Sequence, residues 1–269
     1  MGLGTFWGVS AGAGDPEWLT LKAVRILQAA KWVACPQNAA GQPGLAYQIV
    51  RPWLRPEQTL LPLHLPFVLQ PELLQGAWEA AAEQLAPPLE RGEDVVFVCE
   101  GDVGLYSTFA YLAQALRQRL PDVLIQAIPG VSSPLAAAAA LGSPLALGPE
   151  KLAILPALFA LAELEEACAW ADVVVLMKVA SVYPQVWQWL AERGWLQQAS
   201  LVVWAGWPQQ ALFPTLDGLA DYRPPYFSLL ILWPRNCSSL RLACLPKSSQ
   251  KVGSSLGEKW DLGGAREEK

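Results

Sequence analysis

Short apolar runs of strand length alternate with segments of helical period along most of the chain. TFWGV (5–9) reads as a strand. In LTLKAVRILQAA (19–30), Leu21, Val24, Leu27 and Ala30 form a helical stripe, with Asp15 or Thr20 as its cap. KWVACP (31–36) reads as a second strand. GAWEAAAEQLAPPLERG (76–92) is helical, with a break expected at Pro87 and Pro88. DVVFVCEGD (94–102) is a buried strand running into a turn, YSTFAYLAQALRQRL (106–120) a helix and VLIQAIPG (123–130) a strand. The rhythm continues with helices in SPLAAAAALG (133–142), LAELEEACAWA (161–171) and VYPQVWQWLAERG (182–194). Strands are read in LAILPA (152–157), DVVVLMKV (172–179), SLVVWAG (200–206) and YFSLLILW (226–233). Such alternation predicts an α/β fold. The expected organisation is an N-terminal α/β domain over 1–120, a second over 121–237, and a disordered tail over 238–269, where Ser, Gly and charge replace the apolar period.

Composition narrows the picture. Hydrophobic residues make up 53% of the 269 and charged residues only 16%, so a large share of the chain must be buried. The net charge is −5 and no basic stripe is present, which argues against a nucleic-acid partner. The chain opens directly on a strand, without a cationic start, and its longest apolar run is broken by Gly and Pro. Both features lead us to expect a cytoplasmic protein without a membrane span. The five cysteines are scattered, with no CxxC spacing, and no ligand cluster for a metal stands out. His64 is the one histidine; between leucines in LLPLHLPF, it reads as a pocket-wall or packing residue before a catalyst.

Candidate chemistry centres on the turns. GVSAGAGDPEW (8–18) has the glycines of a phosphate loop but not its other requirements. Asp15 and Pro16 follow Gly14 where a Walker loop needs Lys and a hydroxyl, and Glu17 stands where a dinucleotide fingerprint needs its third glycine. What is left is a strand-to-helix turn whose backbone can pass close to a bulky ligand, or simply a turn. Three further stretches add candidates, the first two of the same strand–turn–helix form. EGDVGLYST (100–108) sets Gly101 and Asp102 after a strand, IPGVSSPLA (128–136) sets Ser132 and Ser133 at a turn, and PPYFSLLIL (224–232) puts Ser228 inside an apolar strand. Strand carboxyl ends are where α/β sheets collect ligands, although Asp and Ser are also ordinary helix caps.

Taken in order, GVSAGAGDPEWLTLKAV, GDVGLYSTFAYL, IPGVSSPLAAAAA, LMKV and PYFSL resemble the signature blocks of the tetrapyrrole methylases, over roughly residues 5 to 233. Within that family, YST and PYFS are most similar to the branch that methylates the C20 meso carbon of precorrin-2, or its cobalt-containing counterpart, in cobalamin synthesis. The resemblance implies a homodimer of two-domain subunits, with S-adenosylmethionine folded into an interdomain cleft beneath a tetrapyrrole trough. It implies cofactor contacts at Gly101, Asp102, Leu105, Ser132, Ser133, Met177, Ala205 and Ser228. Substrate contacts are expected at Gly12, Gly14, Asp15 and Lys178, and Glu100, Tyr106 and His64 are candidates for the base that removes a proton after methyl transfer. The chain departs from the family pattern at Ala13 and Val103, where Pro is usual, and at Glu100, where a neutral residue is usual. The loop PQNAAGQPG (36–44) is short. Methylation at another ring position and a non-catalytic S-adenosylmethionine- or tetrapyrrole-binding role are the alternatives.

Overall fold

The computed structural model describes residues 2–38, 40–66, 70–158, 160–235 and 250–251. The chain divides into two compact units, Met1–Ala136 and Ala137–Lys269.

The first unit is a five-stranded parallel sheet, β1 (Thr5–Ser10), β2 (Trp32–Pro36), β3 (Thr59–Leu63), β4 (Val95–Cys99) and β5 (Leu124–Ile128), in the order β3-β2-β4-β1-β5. On one face Phe6, Ala34, Leu63, Val95 and Phe97 pack against α3 (Pro71–Glu90) and α4 (Phe109–Arg119). The alternate positions Val33, Cys35, Val96 and Val98 are equally buried, as a parallel sheet covered on both faces requires. The helices α1 (Leu21–Ala29) and α2 (Leu45–Val50) lie against β1, β2 and β4. Thr20 caps α1 by accepting the Ala23 amide at 3.1 Å, while Asp15 caps the short 3-10 turn Pro16–Trp18 by accepting that of Glu17 at 2.8 Å.

The expected break at Pro87 and Pro88 does not occur: α3 runs through both to Glu90. Each proline forfeits its own helical N–H bond, but both sit in the last turn and Leu85, Ala86, Pro88 and Leu89 are all buried, so packing outweighs the penalty. The division after Ala136 also falls beyond the seam expected at 120, because β5 pairs with β1 and completes the first sheet.

The second unit is a mixed six-stranded sheet. Its strands are β6 (Leu152–Leu155), β7 (Val173–Met177), β8 (Ala199–Val203), β9 (Ala211–Phe213), β10 (Ser228–Leu232) and β11 (Gln250–Lys251), in the order β11-β9-β8-β10-β7-β6. Only β6 and β7 are parallel neighbours; β10 runs antiparallel to both β7 and β8. One face packs on α6 (Leu161–Trp170) and α7 (Tyr183–Glu192), and the other on residues 137–145, which begin at the end of α5 (Ser133–Ala140). Of the expected tail, Gln250 and Lys251 form β11 against β9; the rest of 238–269 lies outside the described residues. So do Cys237 and Cys244, while Cys35, Cys99 and Cys168 are free thiols. Among the described residues no helix is long and apolar enough to cross a membrane, and no group of three potential metal ligands is found.

Candidate functional site

In the first sheet the chain steps outward from β1 to β2 and β3, then returns to insert β4 beside β1 and adds β5 on the far side. The β1–β4 junction is therefore a switch point, the position where open α/β sheets leave a ligand crevice at their carboxyl ends. The turns that leave these two strands are locked together. Gly12 donates to the Gly101 carbonyl at 3.1 Å and Gly101 donates back at 2.8 Å, both with positive φ (79° and 68°). A side chain at Gly101 would meet nothing within 4 Å, so its backbone borders open space. That left-handed backbone, open on the side where a Cβ of Gly101 would project, fits a ligand lying close against the main chain.

Ser10 and Asp102 hold this end of the sheet in shape. The Ser10 hydroxyl, 1% exposed, donates to the Ile128 carbonyl at 2.8 Å and accepts the Val103 amide at 2.9 Å. Asp102 accepts the Gly104 amide on one carboxylate oxygen and the Gly130 amide on the other, each at 2.7 Å. Gly130 runs so close to β1 that a Cβ there would lie 2.5 Å from that of Ser10. Val103 is buried against α4 and supplies an N–H that the family's usual proline lacks. Asp102, Leu105, Ser132 and Gly101 thus belong to one set of turns at the ends of β4 and β5; Leu105 donates to the Asp102 carbonyl, and the Ser132 carbonyl accepts the Ala136 amide in the first turn of α5, next to Ser133.

The three candidate bases occupy the same sheet end. Glu100 directly follows β4 and is exposed. Tyr106 is 55% exposed and adopts positive φ (52°). His64 follows β3, exposed, with its Nδ1 3.0 Å from the Gln37 side-chain nitrogen at the end of β2. Between His64 and Gly12 lie three strand spacings, about 14 Å. Cys99, beneath them, is not a nucleophile: burial pushes its thiol up to about 12.

In the second unit, the start of β10 meets the carboxyl ends of β7 and β8: Ser228 is paired with Val203 and Leu229 with Met177. Met177, Lys178, Ala205 and Ser228 are therefore gathered at one sheet end. The Ser228 hydroxyl donates to the Pro225 carbonyl at 2.6 Å. Lys178 and Trp204, each immediately after its strand, are left-handed at φ 53°. That conformation costs a residue with a Cβ roughly 1–2 kcal/mol and gathers where ligands are clamped. Trp204, Trp207, Tyr226 and Phe227 form an aromatic cluster around this end, the Trp204 and Phe227 rings tilted against each other with centroids 4.4 Å apart.

Sequence reasoning did not single out Ser10, Gly130 or Gln37. A serine closing a buried apolar strand was the available signal for Ser10, the same one that marked Ser228.

The cobalamin biosynthesis protein CobIJ of Mycobacterium bovis is 35% identical over 239 residues, 85% of this chain but 46% of the relative, so the chain spans about half the length of that protein. A precorrin-2 C(20)-methyltransferase of a Sinorhizobium species is 34% identical over 86% of this chain and 96% of its own. A cobalt-precorrin-2 C(20)-methyltransferase of Salmonella typhimurium is 32% identical over 85% and 96%. Among solved structures, a cobalt precorrin-4 methyltransferase superposes with a TM-score of 0.66 at 21% identity, covering 87% of this chain and 96% of that one. A Thermus thermophilus uroporphyrin-III C-methyltransferase complexed with S-adenosylhomocysteine superposes at 0.57, with 20% identity over 85% and 97%. The family model of the tetrapyrrole (corrin/porphyrin) methylases matches residues 5–220, most of the chain, and the protein belongs to that family.

Proposed function

We propose that the protein methylates the C20 meso carbon of precorrin-2, or of its cobalt-containing counterpart, in cobalamin synthesis. The observation that carries this is the match to two C20-methyltransferases over 96% of their length at 34% and 32% identity. The YST and PYFS stretches support the same branch. S-adenosylmethionine, when bound, supplies an electrophilic methyl group on a sulfonium. The chain's own task is then to hold two partners in register, to exclude water and to take up a proton. Orientation alone is worth roughly 7–11 kcal/mol of barrier in favourable cases.

Gly101, Asp102, Leu105, Ser132 and Ser133 on the first unit, and Met177, Ala205 and Ser228 on the second, are the proposed cofactor contacts. For Asp102 the role is indirect as much as direct, since both of its oxygens already accept backbone amides. Gly12, Gly14 and Asp15 are proposed to border the tetrapyrrole through backbone, because the Asp15 carboxylate serves a local cap. Glu100, Tyr106 and His64 stay as candidates for the base, Glu100 and His64 directly after β4 and β3 and Tyr106 in the turn between β4 and α4, each of them exposed. The subunits are proposed to pair as homodimers in the cytoplasm; exposed apolar side chains such as Leu21 and Trp170 support a covered surface.

The test is transfer of a labelled methyl group from S-adenosylmethionine to precorrin-2. One added methyl per tetrapyrrole supports the reading. Binding of S-adenosylhomocysteine without transfer to either the metal-free or the cobalt-containing substrate would leave a non-catalytic binder.

A further inference from the structure

The second sheet presents a cation at its strand ends in an unusual way. Lys178 follows β7 directly and holds φ 53°, ψ 38°. Glycine or asparagine adopts this conformation readily, and lysine gains nothing from it locally. The Lys178 ammonium lies 6.0 Å from the Tyr226 ring centroid, the outer limit of cation–π attraction. Tyr226 is 46% exposed and packs edge-on against Phe227 at 84°, and Phe227 in turn rests on Trp204. Among the described residues no carboxylate pairs with Lys178. A chain of net charge −5 thus sets an exposed ammonium above an exposed aromatic face, beside Met177 and Ser228.

Backbone strain persists where the surrounding structure over-determines it, and here it fixes the direction in which a flexible side chain leaves the sheet. We propose that Lys178 and Tyr226 form a carboxylate-recognition site that anchors an acidic side chain of the tetrapyrrole and so sets its register. The ammonium is the anchor; the Tyr226 ring limits where the ammonium can go. The inference rests on the reading above that the substrate is a polycarboxylate tetrapyrrole, and it names the residues that read that charge.

Lys178→Asn removes the charge while tolerating the left-handed backbone, so its melting temperature should not fall. Its KM for precorrin-2 should rise about tenfold, the loss of one charged hydrogen bond, with the KM for S-adenosylmethionine unchanged. Lys178→Arg should restore most of the affinity, and Tyr226→Phe should resemble the wild type while Tyr226→Leu does not. Tryptophan quenching by uroporphyrin, a stable polycarboxylate tetrapyrrole, reads the same contact without turnover, and Lys178→Asn should weaken it about tenfold as well. If the wild type binds uroporphyrin through Lys178 but transfers no methyl group, the catalytic reading fails and the site stands. If the wild type turns over and Lys178→Asn changes neither tetrapyrrole constant, the site is wrong. A rise confined to the cofactor KM would also overturn it, because the carboxylate read would then be the cofactor's.

Discussion

The Gly130 amide donates to a carboxylate oxygen of Asp102 at 2.7 Å across 28 residues of sequence, while the other oxygen of Asp102 accepts the Gly104 amide. One side chain therefore sets the relative position of the turns that follow β4 and β5. A carboxylate used this way is as much a part of the fold as of any ligand site.

Asp102→Ala should accordingly lower stability as well as cofactor affinity. Hydrogen bonds to a charged group contribute roughly 1.5–3 kcal/mol each, less where solvent competes. Asp102→Asn keeps one acceptor oxygen and should fall between the wild type and alanine. Urea unfolding of the three proteins checks the order, and equal stability of all three would mean that the two amides find other partners.

Val103 gives a second test of the same turns. Its amide donates to the buried Ser10 hydroxyl at 2.9 Å, a bond that proline cannot make. Val103→Pro, which restores the residue usual in the family, should cost about 1–2 kcal/mol here. In the Ser10→Ala background the cost should shrink, since the acceptor is already gone. A double-mutant cycle by thermal or chemical unfolding measures this coupling, and strict additivity would contradict it.

At the opposite end of the first sheet, Glu93 is held at about 2, first by its hydrogen bond to Lys31 and then by Trp32 and Arg91. Because the folded value lies below the ordinary carboxylate value, the stabilisation is present above the unfolded pKa and is lost as pH falls through the folded one. Glu93→Gln should therefore melt below the wild type near neutral pH, and the two melting curves should converge as pH drops from about 4.5 toward 2. A gap that stays constant over that range would show that packing, not charge, sets the difference.

Much of the architecture was legible because buried strands are short apolar runs: VVFVC, VVVLM and SLLIL are β4, β7 and β10. The strand β3 was not, because it is an edge, buried at Leu63 alone, and carries Pro62, which edges tolerate and central strands do not. The short β9 and α2 fell below the length at which a period shows. Insertion of β4 between β2 and β1 is a non-local choice that no segment records. At the candidate site, residue types marked Asp102, Ser228 and Lys178, but not what they touch. The left-handed backbone of Lys178 leaves no mark in an apolar–polar pattern, and the bond between Ser10 and Val103 spans 93 residues.

Ending the chain after Arg235 removes β11, whose two residues pair with Leu212 and Ala211. With each backbone bond worth roughly 0.5–1.5 kcal/mol net, the truncated protein should melt slightly lower and keep its activity, since β11 lies at the sheet edge beyond β9 and away from β7 and β10. Side-by-side melting and turnover measurements check this; loss of turnover would assign the removed segment a role at the site.

The proposal of C20 methylation is tested most directly by the carbon spectrum of the product. Purified protein is incubated with precorrin-2 and S-adenosylmethionine carrying a labelled methyl carbon, and the tetrapyrrole is isolated. A new methyl signal coupled to the C20 meso carbon is the predicted result. A labelled methyl on a pyrrole-ring carbon, or no label in the tetrapyrrole with or without cobalt, would contradict it.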